Sequence, residues 1–240
     1  HNIYILLVVS SIYGYRNLST SGTLSFSSRI TLGSVPAGIC YQISAGDFNN
    51  DGKIDLATES AGSLRTFLNT SSGPSVISFS LNTAIAVTYR CTGIQCADVD
   101  GDGLTDILAT QGDGNRAVSI RNNNTGLSST FSFESPEYWA TEATYGSTYP
   151  YRCQIADFDK DAKIDLTTCN YNNSYNSSNR TTTAIFRNTS TVGNINFATV
   201  YTVPAPEGAN NYGNYRIQVG DVNGDGYPDI VTKSLRFNVF

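Results

Sequence analysis

The sequence predicts an all-β protein built from repeated four-stranded units, and three observations carry that expectation. Of its 240 residues 40% are hydrophobic and only 15% charged, methionine is absent, and Ser, Thr, Asn, Gly and Tyr abound, a profile of turn-rich sheet rather than helix. No stretch places apolar residues at i, i+3, i+4 and i+7 over a helical length; short apolar alternations such as YQISAG and IDLATES flank polar turns instead. One acidic phrase also recurs four times: DFNNDGKID (Asp47 to Asp55), DVDGDGLTD (Asp98 to Asp106), DFDKDAKID (Asp157 to Asp165) and DVNGDGYPD (Asp221 to Asp229).

The strands follow from that frame. IYILLVV, Ile3 to Val9, is too short to span a bilayer as a helix and is read as a buried β-branched strand in preference to the stump of a secretion signal. Each of the first three loops is followed by an apolar strand, a second strand ending at Asn, a Gly- or Thr-rich turn and an aromatic strand: SLRTFLNTSSG…ISFS, AVSIRNNNTG…FSFES and TTAIFRNTSTVGNINFA. With the strand before the loop this makes four strands per unit. The same tail occurs without a loop as IYGYRNLSTSGTLSFSS, and the fourth loop is followed by IVTKSLRFNVF. Residues 1–240 therefore read as a single domain of about four units, the first and last incomplete.

Charge is focused in the loops. The net charge is −5, and no basic stripe is present that could displace phosphate counterions, which argues against a nucleic-acid partner. Fourteen of the twenty acidic residues lie in the four loops. Each loop places oxygen-bearing side chains at positions 1, 3, 5 and 9: Asp47, Asn49, Asp51, Asp55; Asp98, Asp100, Asp102, Asp106; Asp157, Asp159, Asp161, Asp165; and Asp221, Asn223, Asp225, Asp229. Position 7 (Lys53, Leu104, Lys163, Tyr227) is free to offer its backbone carbonyl. Alternating hard oxygens on a tight loop suit Ca²⁺, giving four expected sites, and offer zinc no soft ligand. Gly52, Gly103 and Gly226 stand at position 6, where the chain must turn sharply; Ala162 replaces glycine in the third loop, which should be the most strained. An EF-hand is excluded, because its twelfth position falls on Thr58, Ala109, Thr168 and Thr232 rather than a bidentate Glu. A plain Asp-Gly hairpin turn would explain any single copy, but not the recurrence of every oxygen position.

With these loops in view, the chain resembles the FG-GAP/VCBS repeats, the calcium-bearing blades of β-propellers similar to the integrin α-subunit head and to secreted microbial proteins. AGD at Ala45 to Asp47, CAD at Cys96 to Asp98, IAD at Ile155 to Asp157 and VGD at Val219 to Asp221 stand where the family's characteristic dipeptides lie, though FG and GAP themselves are poorly kept and Ala162 departs from the loop pattern. The resemblance implies a propeller with a calcium loop between the first two strands of each blade. It implies an extracellular or cell-surface scaffold for adhesion, binding a glycan or a protein, and does not imply catalysis.

Five cysteines fit an oxidising compartment. Cys153 and Cys169 are equally distant from Asp161, which predicts that they face each other across the hairpin and form a disulfide; Cys91 and Cys96 could close a small loop, leaving Cys40 over. Seven acceptor sequons begin at Asn17, Asn69, Asn123, Asn172, Asn176, Asn179 and Asn188. Asn17, Asn69 and Asn188 recur at the turn after the third strand, with Asn123 one residue along, so glycans there would line one rim; Asn is also simply at home in turns.

An enzyme has little to rest on, since the only histidine is His1. A calcium-dependent polysaccharide lyase with Arg or Lys as base, Arg152 and Arg216 lining an inner channel, is the weaker alternative. Trp139, Tyr138, Tyr145 and Tyr149 offer either a sugar-stacking patch or cover for the core. The other alternative is a structural subunit: apolar edges at IYILLVV and SLRFNVF would pair head to tail between copies and propagate a glycosylated filament. No membrane span is expected.

Overall fold

The computed structural model describes residues 11–35, 42–141, 149–171, 182–204 and 214–234. Ile3–Val9, Cys40, Tyr145, Asn172, Asn176, Asn179 and Leu235–Phe240 lie outside these residues, and with them the expected strand exchange between termini. The described chain is all β, without helices, in small antiparallel sheets. No closed propeller is formed among the described residues.

Three sheets have four strands each, paired in chain order by short connections. The first contains β3 (Ile43–Gly46), β4 (Asp55–Ser60), β5 (Ser63–Asn69) and β6 (Phe79–Ala86). The second contains β7 (Cys91–Ala97), β8 (Asp106–Gln111), β9 (Arg116–Ile120) and β10 (Glu137–Ala140). The third contains β11 (Tyr149–Ala156), β12 (Asp165–Tyr171), β13 (Thr182–Phe186) and β14 (Tyr201–Pro204). Two-stranded hairpins flank them: β1 (Ser11–Gly14) with β2 (Ile30–Ser34), and β15 (Asn214–Gly220) with β16 (Asp229–Ser234). Every acidic loop joins the first and second strand of a sheet or hairpin, as expected.

The sheets pack face to face in a row: β2 on β6, β3 and β4 on β7, β7 on β11, and β11 and β12 on β15. This explains why the second strands read as unbroken apolar or Thr-rich runs. DILATQ of β8 is buried at every position because it has a neighbouring sheet on each side. Its alternate residues go to different cores: Ile107 and Ala109 to the one shared with the first sheet, with Phe48, Leu64, Ile94 and Val118, and Leu108 to the one shared with the third, with Leu166 and Phe186. First strands approach so closely that a Cβ on Gly93 of β7 would stand 2.9 Å from the Cys153 backbone nitrogen and 3.1 Å from Arg152 Cα.

One expectation about strands and two about cysteines are corrected. In the second and third units the aromatic segment is not the fourth strand. Phe133 and Phe197 make single bridges to Asn122 and Asn188, and the fourth strands begin later, at Glu137 and Tyr201. The aromatic rings are spent on packing: Phe131 and Phe133 stack against Phe48, and Phe197 against Phe186 and Trp139. The Cys153–Cys169 bridge is absent, and both are buried free thiols. Ala156 pairs with Asp165, so Cys153 falls opposite Thr168 and Cys169 opposite Arg152; counting from Asp161 misplaces the hairpin centre by half a residue and sends the two thiols to opposite faces. Cys91 and Cys96 are also free and lie on one extended strand, roughly 16 Å apart at the usual rise per residue, too far to bridge.

Candidate metal loops and their supporting side chains

All four loops share one wiring, dictated locally by Asp and Asn side chains that capture backbone N–H groups a few residues on. The position-6 amide donates to the position-1 carboxylate: Gly52 to Asp47 at 2.8 Å, Gly103 to Asp98 at 2.9 Å, Ala162 to Asp157 at 2.9 Å and Gly226 to Asp221 at 2.7 Å. The position-5 amide donates to position 3, for example Asp102 to Asp100 at 3.0 Å and Asp225 to Asn223 at 2.9 Å. The position-7 amide donates to position 5: Lys53 to Asp51, Leu104 to Asp102, Lys163 to Asp161 and Tyr227 to Asp225. The carbonyl of each position-7 residue is therefore on the same tight turn as the side-chain oxygens.

Two residues per loop take the left-handed conformation that favours glycine. Position 6 was anticipated, and Ala162 adopts φ 67° there, against 81°, 86° and 85° for Gly52, Gly103 and Gly226. Position 4 was not: Asn50, Gly101, Lys160 and Gly224 occupy it at φ 56°, 79°, 60° and 80°. The third loop alone fills both with non-glycine residues other than Asn, so it holds the most backbone strain of the four.

The position-9 aspartates act as keystones. Asp55, Asp106 and Asp165 are fully buried and accept two backbone N–H groups each, one from position 2 of their own loop and one from the Asn that ends the third strand. Burial outweighs those bonds and raises all three carboxyls, Asp106 to about 7. Asp229 takes only the bond from Val222 among the described residues and is half-buried.

The structure brings three carboxylates together in two of the loops. One oxygen each of Asp98, Asp100 and Asp106 lie within 4.8 Å of one another, and the same holds for Asp157, Asp159 and Asp165. Such a cluster, all oxygen and devoid of His or Cys, fits a hard divalent cation. In the first and fourth loops Asn49 and Asn223 stand at position 3, so no carboxylate triplet forms there; their amide oxygens are the matching donors.

Sequence reasoning missed the cations already beside the loops. Arg121, directly after β9, reaches Asp100 Oδ2 through Nε at 2.6 Å, Asp102 Oδ2 through Nη2 at 2.6 Å and Glu134 through Nη1 at 2.8 Å. Arg187, directly after β13, pairs with Asp159 and with Asp161 Oδ2, the latter at 2.8 Å, and holds Asp159 below the ordinary carboxylate range. The available signal was the Arg-Asn pair that ends the third strand in Arg121-Asn122 and Arg187-Asn188, and that recurs as Arg16-Asn17.

The asparagine of that pair couples adjacent sheets. Asn122 Nδ2 donates to the Thr105 carbonyl of its own loop at 3.0 Å and to the Phe48 carbonyl of the preceding one at 2.8 Å. Asn188 Nδ2 likewise bonds Ile164 O at 2.9 Å and Val99 O at 2.8 Å. This corrects one glycan position: Asn188 is 0% exposed with its amide nitrogen doubly engaged, so it cannot carry a sugar in this fold. Asn69 is half-buried with its amide on Ile54 O, while Asn17 and Asn123 are exposed.

The remaining candidates are structural in their contacts. Trp139 donates Nε1–H to Ser119 Oγ at 2.9 Å and stacks edge-on against Phe197 in the core; Tyr138 covers the Arg116 guanidinium at 3.8 Å. Tyr149 packs on Tyr151 and Tyr171. Arg152 donates to the Thr92 carbonyl of β7, and Arg216 is exposed beside it; burial and that like charge lower the Arg152 pKa. No helix among the described residues is long and apolar enough to cross a membrane.

Comparison with known families bears on the same loops. The FG-GAP-like repeat model matches residues 4–58, 47–109 and 98–168, and the FG-GAP repeat model matches residues 213–237. Each of the four acidic loops falls within a match. No curated protein matches the chain.

Proposed function

The chain belongs to the FG-GAP repeat family, and from that premise we propose that it is a secreted, calcium-binding repeat module of propeller type, which presents a rigid surface to a glycan or protein ligand at the cell exterior. The observation that carries the calcium reading is the convergence of Asp98, Asp100 and Asp106, and of Asp157, Asp159 and Asp165, on points with only oxygen donors around them. Positions 1, 3, 5 and 9 of each loop, with the position-7 carbonyl, would hold the ion. Its chemistry there is charge neutralisation: it offsets the repulsion of three or four carboxylates gathered on one turn. The chain's own residues do the positioning, since every loop carboxylate is already oriented by backbone N–H donors.

A non-catalytic role agrees with a site whose carboxylates are tied to backbone amides and arginines rather than free to shuttle protons. The row of sheets joined by Asn122 and Asn188 supplies a stiff scaffold for a ligand surface.

The test is a thermal melt of the folded chain in excess calcium and in excess chelator. Calcium should raise the melting temperature in a concentration-dependent way, because an ion that binds only the folded state adds stability as its concentration exceeds the dissociation constant. Asp102→Ala should reduce that calcium-dependent rise. Identical melts in both solutions would refute the calcium reading.

A further inference from the structure

The arginines divide the loops. Leu56 pairs with Phe67, Ile107 with Ile120 and Leu166 with Phe186, so the next residues along, Leu68, Arg121 and Arg187, occupy one structural position beside their loops. Arginine stands there in the two loops whose position 3 is Asp (Asp100, Asp159), and leucine in the loop whose position 3 is Asn49. A fourth carboxylate thus comes with a guanidinium, so that carboxylates outnumber arginines by three at each of the three loops, although Lys53 in the first and Lys160 and Lys163 in the third bring the formal charges to −2, −3 and −1.

We propose that Arg121 and Arg187 are resident counter-cations that hold the second and third loops closed without added metal, leaving the first, alone of these three loops, dependent for its fold on a bound cation. The consequence for the first loop rests on the calcium reading; the arginine tie does not. Each guanidinium engages one oxygen of position 3 and one of position 5. The other oxygens of Asp100 and Asp102 accept the Asp102 and Leu104 amides, so the arginine completes an orientation that the backbone begins. Planar guanidinium suits this bridging task as an ammonium does not. The two ties differ in strength. The Asp100 side chain is 0% accessible and Arg121 17%, while Arg187 is 53% and Asp159 39%, so solvent screens the third-loop pair more. Asp100 Oδ2 also accepts the Gly193 amide at 2.9 Å, which couples the second loop to the turn between the third and fourth strands of the next sheet.

Hydrogen exchange read by mass spectrometry on peptides spanning each loop tests this, with the protein in calcium and in chelator. In the wild type, chelation should raise exchange of the Asp51 and Gly52 amides roughly tenfold or more, the equivalent of about one charge-assisted hydrogen bond, and leave Asp102 and Gly103 within about threefold. Arg121→Gln should bring the second loop to the first loop's behaviour in chelator, and Arg187→Gln should do the same more weakly in the third. Because Arg187 is exposed, its variant folds even if R121Q does not. Equal opening of the wild-type loops in chelator, or no rise in exchange at the third loop in R187Q, overturns the proposal. If the variants open their loops equally in calcium and in chelator and the first loop ignores both, the arginine tie stands and the calcium reading falls.

Discussion

Truncating Asn122 to alanine should cost far more than the same change at Asn69, although both give their backbone N–H to the keystone aspartate of their sheet. Asn122 is 0% exposed and makes three side-chain hydrogen bonds: Nδ2 to Phe48 O at 2.8 Å and Thr105 O at 3.0 Å, and Oδ1 from the Asn124 amide at 3.0 Å. Removing them leaves the part-buried Thr105 carbonyl and the buried Asn124 amide without those partners, while the Phe48 carbonyl keeps Asn124 Nδ2 at 2.6 Å. At about 1–3 kcal/mol for each stranded group, the expected loss is about 4 kcal/mol. Asn69 bonds only the Ile54 carbonyl at 2.9 Å and the Ser71 amide at 3.0 Å, in positions water can reach, so its loss should be about 1 kcal/mol. The difference, about 3 kcal/mol, is roughly a hundredfold in the folding equilibrium. Neither change touches the backbone N–H that each residue gives to its keystone aspartate, so the pair compares the side-chain bonds alone. Guanidinium unfolding of the two variants at one pH and fixed calcium measures it. Costs within about 1 kcal/mol of each other would refute the claim that burial makes the Asn122 side-chain bonds worth more than those of Asn69.

Two further outcomes follow. Glu59 is buried at the end of β4 with Oε2 lacking a hydrogen-bond partner, and burial raises its carboxyl above the usual range despite the Gly62 amide. A raised folded-state pKa gives stability that is complete below the ordinary glutamate value and is lost as pH rises through the folded one, so Glu59→Gln should flatten the decline of stability across that window; an unchanged pH profile would show that Glu59 is ionised in the fold at no cost. Cys91, Cys153 and Cys169 are buried, and burial pushes the Cys91 thiol up to about 12, so alkylation without reductant should be slow in the native protein and complete at all three once it is unfolded, as read by peptide mapping. A Cys153–Cys169 crosslinked peptide would contradict the observed register.

The four loops were legible in the sequence because their bonds are local. Position-1, -3 and -5 oxygens capture amides two to five residues on, so nine residues dictate the turn, its left-handed glycines and the strands leaving it on either side. The second strands were legible for a related reason, since a run such as DILATQ with no polar face demands cover on both sides. What the tertiary structure alone decided is which distant groups meet those local units. Asn188 finds the Val99 carbonyl 89 residues away, and Arg121 finds Asp100 at a separation of 21, because sheets stack in a fixed order, a fact no local pattern contains. Burial is decided the same way: Asn188 reads as a surface sequon and is buried, Trp139 reads as either a sugar platform or cover for the core and packs half-buried against Phe197, and two cysteines that count as partners part across the faces of one hairpin. A residue's nearest neighbours in sequence set its backbone; its exposure and its charge partners belong to the packing, and in this chain those partners include Arg121 and Arg187 beside the second and third loops.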